Sequence, residues 1–584
     1  MPARDPFVLL DDARQGNARL YRDPVRIVSA ATRAEVLPAL AAIRAAQAEG
    51  LHAAGFLAYE AAPAFEPALA DPPAIDLPLL WFGLFERFEE VDPAALLPDP
   101  AGAWIGAPHP AITRAEYDAR LARVFDLIVA GDIYQANLTY RATVAWQGDP
   151  RAAYAQLRGR AQAGLGALVH TGADWLLSLS PELFFALEGG ALTARPMKGT
   201  ARRGSIPSED AARAAGLAAD PKQRAENLMI VDLMRNDLAR VAVPGSVAVP
   251  SLFEIESYPT VHQMVSTITA ALEPERDAVD VLAALFPCGS ITGAPKVRAM
   301  EVIAEVEQGP RGVYTGAIGR IDAGGDAKFN VAIRTLHLRD GDPEARFGAG
   351  GGIVADSNAA EEWDEARAKG GFVATPGPGF DLIETMGFDP REGLLMLERH
   401  LARMKVSAAM FGFAFDRHAT RNELQAATFR LREPRRIRLL LARSGAVAIE
   451  VTPCPAVPEG PVAVALAPLP VAAADFRLGH KTTDRAFYDR ARTDSGAFEV
   501  LFTDADGFLT EGSFTNIFVA SGDTLVTPPL SRGLLPGVLR AALIAEGRAV
   551  EGDLRPEDLD EGFFLGNALR GLFPAVAKAA RASL

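Results

Sequence analysis

Cysteine is nearly absent. The 584 residues contain two, Cys288 and Cys454, far apart in the chain. A disulfide framework needs several spaced cysteines, and a zinc site needs ligands clustered at short spacing. Two distant cysteines fit neither, and they suit a reducing compartment. Long hydrophobic runs are missing as well. The most apolar late stretch, residues 461–474, is cut by prolines and is too short to cross a bilayer. The N-terminus, MPARDPFVLLDDARQ, has acids where a secretory leader needs an apolar core. The expectation is a cytoplasmic protein that does not enter a membrane. Basic excess is also lacking: 59 Lys and Arg face 74 Asp and Glu, a formal charge of −15. Nucleic-acid binding needs a basic surface, so no nucleic-acid partner is expected. A small acidic ligand stays open, because it needs only a local group of cations.

What the chain has is core. Apolar residues make up 49% and charged residues 23%, ordinary for a globular protein, and the length allows roughly two to four domains. The most informative stretch is Ser178 to Gly204, SLSPELFFALEGGALTARPMKGTARRG. Two apolar runs joined by Gly189-Gly190 predict a β-hairpin with Glu188 opposite Ala191 and Glu182 opposite Met197. Lys198 then falls near Glu182 at the open end. Such a pair can supply a nucleophilic amine or an acid and a base. A lysine between a strand and a polar loop can equally be solvated. Strict alternation puts Lys198 on the other face from Met197. If it shares a site with Glu182, the chain must bend or bulge between Pro196 and Gly199.

Residues 1–110 read as α/β structure, with strands at Phe7–Leu10, Gly55–Tyr59 and Leu79–Phe88. A helix from Thr32 to Glu49 is stopped by Gly50. Thr113 and Glu116 form a capping box for the next helix. The strand after it carries Gln135 and Asn137 among apolar neighbours; buried amides satisfy backbone groups or line a polar pocket. Lys222 to Val241 reads as a buried helix, apolar almost all round between Leu228 and Met234. Glu226 near its start either complements the helix dipole or binds a hard cation. His262 lies on a strand from Thr260 to Ala270. Gly289, Ser290, Thr292, Gly293 and Pro295 open an amphipathic helix whose free N–H groups suit an anion. Strands at Val313–Ile321 and Asn330–Leu338 carry Tyr314 and Arg334. Gly350, Gly351 and Gly352 make a plain turn or let a ligand carboxylate reach the backbone. Glu361, Glu362 and Glu365 follow on a helix, with Glu362 and Glu365 on one face. A Pro/Gly linker ends this part. Beyond it come Arg403 on a helix, Lys481, Glu511 and a helix start near Gly537. These are the elements of a pyridoxal phosphate site: an amine, an acid for the pyridine nitrogen, and a cation plus a helix start for phosphate.

From about residue 110 to 373, the segments SPELFF, RPMKGT, DPKQRAENLMIVDLMRND, LFPCGSITGAPKVRAME, FNVAIRTL and GGGIVADS resemble the chorismate-utilising enzymes, in their aminodeoxychorismate synthase branch. HLARM, HKTTDRAFYD, TEGSFTNIF and GLLPGVLR resemble class IV pyridoxal phosphate enzymes, in their aminodeoxychorismate lyase branch. The resemblance implies an α+β multidomain chain. An N-terminal region (1–110) precedes a chorismate-binding catalytic domain (111–373) of β-sheets flanked by helices. A linker (374–380) then leads to a class IV α/β domain (381–584). It implies two consecutive steps of p-aminobenzoate synthesis, with anthranilate or isochorismate chemistry fused to an aminotransferase as the alternative; Lys198 stands where anthranilate synthases have a small residue. By resemblance, Lys198 attacks chorismate and Glu182 helps the hydroxyl leave. Glu226 and Glu365, with Glu362 close by, hold Mg²⁺. Thr292, Tyr314, Arg334 and Gly350–Gly352 bind the pyruvyl side chain. Lys481 carries pyridoxal 5′-phosphate and moves a proton, Glu511 holds the pyridine nitrogen, and Arg403, Gly537 and Val538 bind the phosphate. Relatives often carry His at the position of Gln263, where this chain has His262 as the neighbour. That departure suits an enzyme that keeps the pyruvyl group at this site. Neither cysteine sits in a glutaminase-like motif, so ammonia is expected from a separate glutamine amidotransferase subunit. The class IV domain is expected to form a homodimer.

Overall fold

The computed structural model describes residues 5–204, 206–258, 261–374 and 379–577. Residues 375–378 of the expected linker and Thr260 of an expected strand lie outside the described residues. The chain forms two compact units. The first holds nearly everything up to Ala374, and the second holds the remainder with two short earlier segments, Pro98–Trp104 and Gln147–Ala152.

The first unit is built on two antiparallel sheets. One runs in the order Gly293–Ala294, Gln135–Gly148, Glu344–Ile353, Thr335–Arg339, Asp174–Ser180, Leu165–His170, Phe7–Asp12, Asn17–Arg22 and Glu89–Val91. The other, ten-stranded, runs Met197–Arg202, Val261–Ala271, Ala191–Arg195, Leu183–Glu188, Ala327–Val331, Ala317–Ile321, His52–Leu57, Leu80–Phe85 and Arg26–Ala30, with Ala248–Ser257 paired to the second of these. Strands from before and after residue 110 are neighbours in both: Phe7–Asp12 pairs with Leu165–His170, and His52–Leu57 with Ala317–Ile321. Tyr21, Phe56, Trp81, Val169 and Ile318 come from the two sheets into one core. Each such large side chain contributes about 1.5–3 kcal/mol on burial. The outer face of the ten-stranded sheet packs Phe82, Phe184 and Phe329 against Leu40, Met234 and Leu282 of three helices, Arg33–Ala48, Pro221–Ala239 and Ala278–Leu285.

The central hairpin forms where its glycines allow it. Gly189 and Gly190 have φ of 56° and 83°, the left-handed pair that a tight hairpin needs and side chains resist. Glu188 faces Ala191, as the spacing predicts, but the register slips between Ala186 and Leu183, so that Leu183 faces Arg195. A second irregularity falls between Met197 and Thr200. Gly199 there has φ 100°.

Four sequence expectations are corrected. The helix Pro221–Ala239 is one-sided, not apolar all round: Ile230, Val231 and Met234 are buried, whereas Leu228 is exposed. Tyr314 lies in a turn before the strand Ala317–Ile321, not on it. Asn330–Leu338 is broken in the middle, and Arg334 sits in the gap with φ 52°. Gly350, Gly351 and Gly352 are not a turn; they lie within Glu344–Ile353, paired to Thr139, Leu138 and Asn137.

The second unit has a four-stranded sheet, Gly393–Leu394, Leu382–Asp389, Arg435–Leu441 and Val447–Pro453, against which the helix Leu397–Phe411 packs. An eight-stranded sheet mixes parallel and antiparallel pairs; Val462–Pro468 runs parallel to both Glu499–Thr503 and Gly571–Ala577. Among the described residues, no helix is long and apolar enough to cross a membrane.

Candidate functional site

In the first unit a cavity of about 230 Å³ opens between the hairpin end, the helix Pro221–Ala239, the Gly348–Gly352 strand and the helix Ala359–Ala368. Lys198 reaches it because the chain bulges at Met197–Thr200. Asn227, fully buried, ties that bulge down: its amide donates to the Lys198 carbonyl at 3.3 Å and the Met264 carbonyl at 3.4 Å, and accepts from Ser266 at 2.6 Å. The Lys198 amine fills the space a side chain on Gly352 would need, with Nζ 2.4 Å from the position of a Cβ. It makes no hydrogen bond or ion pair among the described residues. Its charge acts on Glu182, Glu226, Glu362 and Glu365.

Glu182 is buried, and its Oε1 has no hydrogen-bond partner among the described residues. Burial raises its pKa to about 7, with Ser290 and Lys198 pulling the other way. A carboxyl at that value is protonated part of the time near neutrality, which is what a proton donor needs. Burial also raises Glu226 and Glu362, and the charge of Glu365 adds to both. Glu365 itself is lowered, first by Lys369, whose amine lies 2.8 Å from it and donates to the Gly350 carbonyl at 2.9 Å. Among the described residues, no three His, Cys, Asp or Glu side chains converge as a ready-made metal cage. Mg²⁺ does not require one, because it binds through one or two carboxylates and keeps waters. The oxygen donors and their mutual repulsion fit such a cation.

The remaining predicted residues divide. Tyr314, Arg334 and the three glycines line the cavity; Thr292 does not. Thr292 is buried with its hydroxyl donated to the Cys288 and Gly289 carbonyls at 3.3 and 3.2 Å, and Ser290 faces the cavity instead. The Arg334 guanidinium makes no hydrogen bond or ion pair among the described residues, so it is free for an anion; its backbone carbonyl is engaged, accepting from the Leu179 amide at 3.1 Å. Tyr314 packs on Gly348, where a Cβ would strike the ring at 2.2 Å. Gln263 lines the cavity with its Oε1 unpaired. His262 does not; it is held by Asp210 at 2.8 Å and Ser257 at 2.9 Å. Sequence reasoning placed Ser290 only in the run that opens a helix, choosing Thr292 as the binding residue, and it missed Asn227 and Arg311. Buried Arg311 ties two cavity-lining residues to the end of the helix Lys296–Glu307 by donating to the carbonyls of Asn137 (2.7 Å) and Ile291 (3.1 Å) and to Glu307 (2.6 Å). The "GPRG" turn was its only sequence signal.

In the second unit, Lys481, Arg403, Glu511, Gly537 and Val538 line one cavity of about 620 Å³. Burial lowers Lys481 to about 7, with Arg403, Arg485 and Arg438 adding to the effect against Glu384. Its amine is therefore partly neutral near pH 7 and able to act as nucleophile or base. Burial raises Glu511 to about 7, and Tyr488 donates to it at 2.5 Å. Gly537 caps the helix Val538–Ala545; a Cβ there would lie 1.8 Å from Asn516 Oδ1. Arg403 is held by Glu384 at 2.8 and 2.7 Å and by the Pro536 carbonyl at 3.0 Å. Two buried carboxylates that sequence reasoning missed shape this site. Glu384 clamps Arg403 and His400. Glu499 accepts from the Ser513 hydroxyl at 2.5 Å, the Thr515 hydroxyl at 2.8 Å and the amides of Ser513 and Phe514, which fixes the loop after Glu511.

The chain belongs to the chorismate binding enzyme family, whose profile residues 5–375 match. Residues 381–577 match the class IV amino-transferases. The expected order of a chorismate-binding fold followed by a class IV domain therefore holds. Aminodeoxychorismate synthase component 1 of Salmonella typhimurium is 47% identical over 265 residues, which are 45% of this chain and 58% of that protein. The protein of that name in Klebsiella aerogenes is 46% identical over 258 residues, 44% of this chain and 57% of that one. The chain thus spans little more than half the length of these relatives. Anthranilate synthase component I of Streptococcus pneumoniae superposes with a TM-score of 0.53 at 26% identity, over 63% of this chain and 93% of that one.

Proposed function

We propose that the chain carries out two consecutive steps of p-aminobenzoate synthesis. The first unit aminates chorismate to 4-amino-4-deoxychorismate, taking ammonia from a separate glutamine amidotransferase subunit. The second eliminates pyruvate from that product. The observation that carries the reading is Lys198: an unpaired amine in a cavity shared with a carboxyl, Glu182, that burial keeps partly protonated near neutrality. Nζ forms a bond to ring carbon C2 while the C4–O bond breaks, and the oxygen leaves as water with the proton of Glu182. Ammonia then adds at C4, the C2–N bond breaks, and the amine of Lys198 is restored. Arg334, Tyr314, Ser290 and the backbone of Gly350–Gly352 hold the pyruvyl carboxylate. Glu226 and Glu365, with Glu362 close by, would hold Mg²⁺. When bound, the ion supplies positive charge for the ring carboxylate.

The second cavity fits pyridoxal 5′-phosphate in its donor set. Lys481 is the amine that would carry it, Glu511 the acid for its ring nitrogen, and Arg403 with the backbone of Gly537 and Val538 the phosphate site. When bound, the cofactor would supply an electron sink for the electron pair left behind when Cα loses its proton. Lys481, held near pH 7 by burial, takes that proton. Arg436, Arg438, Arg485 and Arg570 also line the cavity. They are more cations than one phosphate needs, which supports a dicarboxylate substrate.

The test supplies chorismate, Mg²⁺ and ammonium to the full chain, with and without pyridoxal phosphate. Aminodeoxychorismate without the cofactor and p-aminobenzoate with it are expected. Anthranilate as the product would sink the reading.

A further inference from the structure

Behind Lys198, away from the cavity, stands Gln135, the first residue of the strand Gln135–Gly148. It is wholly buried, at 0% exposure. Neither its Oε1 nor its Nε2 has a hydrogen-bond partner among the described residues. Buried side-chain amides are almost always paired, usually with backbone. Asn227, on the helix Pro221–Ala239, shows the ordinary case, with donor and acceptor both used and the Lys198 carbonyl held. Gln135 holds no backbone. Its amide points where a side chain on Gly352 would go: Nε2 lies 2.8 Å from that position, and Lys198 Nζ lies 2.4 Å from it. The geometry follows from the sheet. Gly352 pairs with Asn137, so Gln135 is the diagonal neighbour on the same face. Only a glycine leaves room for the two groups to approach. Gln135 is kept in place from behind by Gly293, where a Cβ would fall 2.2 Å from the Gln135 carbonyl.

We infer that the side-chain amide of Gln135 is the group that positions the Lys198 amine, accepting one of its N–H bonds and turning its lone pair into the cavity. The two ends of an amide have the same shape, so rotation presents Oε1 to the amine without moving the strand. The other groups acting on Lys198 are the carboxylates of Glu182, Glu226, Glu362 and Glu365 on the cavity side, with the cations Lys222 and Lys369 beside them. Gln135 is the neutral acceptor on the closed side. An acceptor there takes one N–H bond and leaves the amine's electron pair directed into the cavity. The inference rests on the reading of Lys198 as the nucleophile. Gln135 is a positioning residue and does not touch the ring.

The test compares Gln135→Met, which keeps the volume and removes the acceptor, with Gln135→Glu, which keeps an acceptor. In ammonium-dependent amination, Gln135→Met is expected to lower kcat on the order of a hundredfold, the cost of a misdirected reacting group, with KM for chorismate unchanged. Gln135→Glu is expected to recover most of kcat. A second readout does not depend on amination. Trinitrobenzenesulfonate labels amines, and peptide mass spectrometry reads Lys198 and Lys222 separately. In Gln135→Met, labelling of Lys198 should slow severalfold while Lys222 labels as before. Unchanged Lys198 labelling, or equal loss of kcat in both variants, would overturn the inference. If the wild type labels in this Gln135-dependent way yet never aminates chorismate, the proposed function fails and the positioning role stands.

Discussion

Replacing Glu182 with Gln tests the acid–base reading most directly, because one side chain carries both a catalytic and a stability consequence. Burial holds the Glu182 carboxyl at about 7 instead of the ordinary 4.5. It is therefore about 90% protonated at pH 6 and about 10% at pH 8. If its proton leaves with the hydroxyl, amination falls as pH rises through about 7. Glu182→Gln has no proton to give at any pH. A positioned general acid contributes roughly 10²- to 10⁴-fold, so kcat/KM at pH 6 should drop by that factor and the limb near pH 7 should vanish. The stability effect has the opposite sign. An acid whose folded pKa is raised contributes stability that is complete below 4.5 and lost as pH rises through about 7. The gap corresponds to about 3 kcal/mol at pH 8. Gln does not ionise, so the variant should melt a few degrees higher than wild type at pH 8 and no higher at pH 4.5. The assay is chromatographic detection of aminodeoxychorismate from chorismate and ammonium between pH 5.5 and 9, beside thermal melts at pH 4.5 and 8. A variant that loses less than tenfold, or keeps the limb near pH 7, refutes Glu182 as the acid.

Lys198→Ala should abolish amination and leave pyruvate elimination from supplied aminodeoxychorismate intact, read as p-aminobenzoate fluorescence. Gly352→Ala places a methyl against the Lys198 amine and the Gln135 amide, which are flexible ends and not backbone; amination should fall at least about a hundredfold while far-ultraviolet circular dichroism stays that of wild type. Arg438→Leu should raise KM for elimination at least about tenfold, the worth of one charge-assisted hydrogen bond, with pyridoxal phosphate absorbance unchanged. In Glu384, burial opposes ionisation but Arg403 and His400 outweigh it and hold the carboxyl at about 2. That stabilisation is present above 4.5 and is lost as pH falls through about 2. Glu384→Gln strands the Arg403 charge and should destabilise the second unit by about 3 kcal/mol at pH 7, seen as a lower urea midpoint by proteolysis of that unit.

What was legible in the sequence was whatever a regular ladder or a cap dictates. Gly189-Gly190 fixed the hairpin loop, and the pairing of Glu188 with Ala191 followed by counting. Thr113 and Glu116 made the capping box that the structure contains. Counting failed where the ladder breaks. Gly289–Ile291 is a single tight helical turn, and neither strand nor helix periodicity says which of Ser290 and Thr292 faces inward; the hydroxyl that could bond its own loop did so. Arg334 could not be placed by alternation, since the strand assumed around it stops for a residue in the left-handed region. Asn227, Arg311, Glu384 and Glu499 were invisible for another reason. Each is an unexceptional residue locally, and each acts on backbone or side chains distant in sequence, as Arg311 does on Asn137 174 positions away. The two kinds of miss have one physical source. A regular strand or helix spends its backbone groups on itself and points its side chains by rule. A site needs backbone and side chains turned toward a ligand, so it forms where the rule is interrupted. The interruptions at 197–200 and 332–334 deliver Lys198 and Arg334 to one cavity. Buried amides, arginines and carboxylates then hold open the irregular segments that no periodic pattern would maintain.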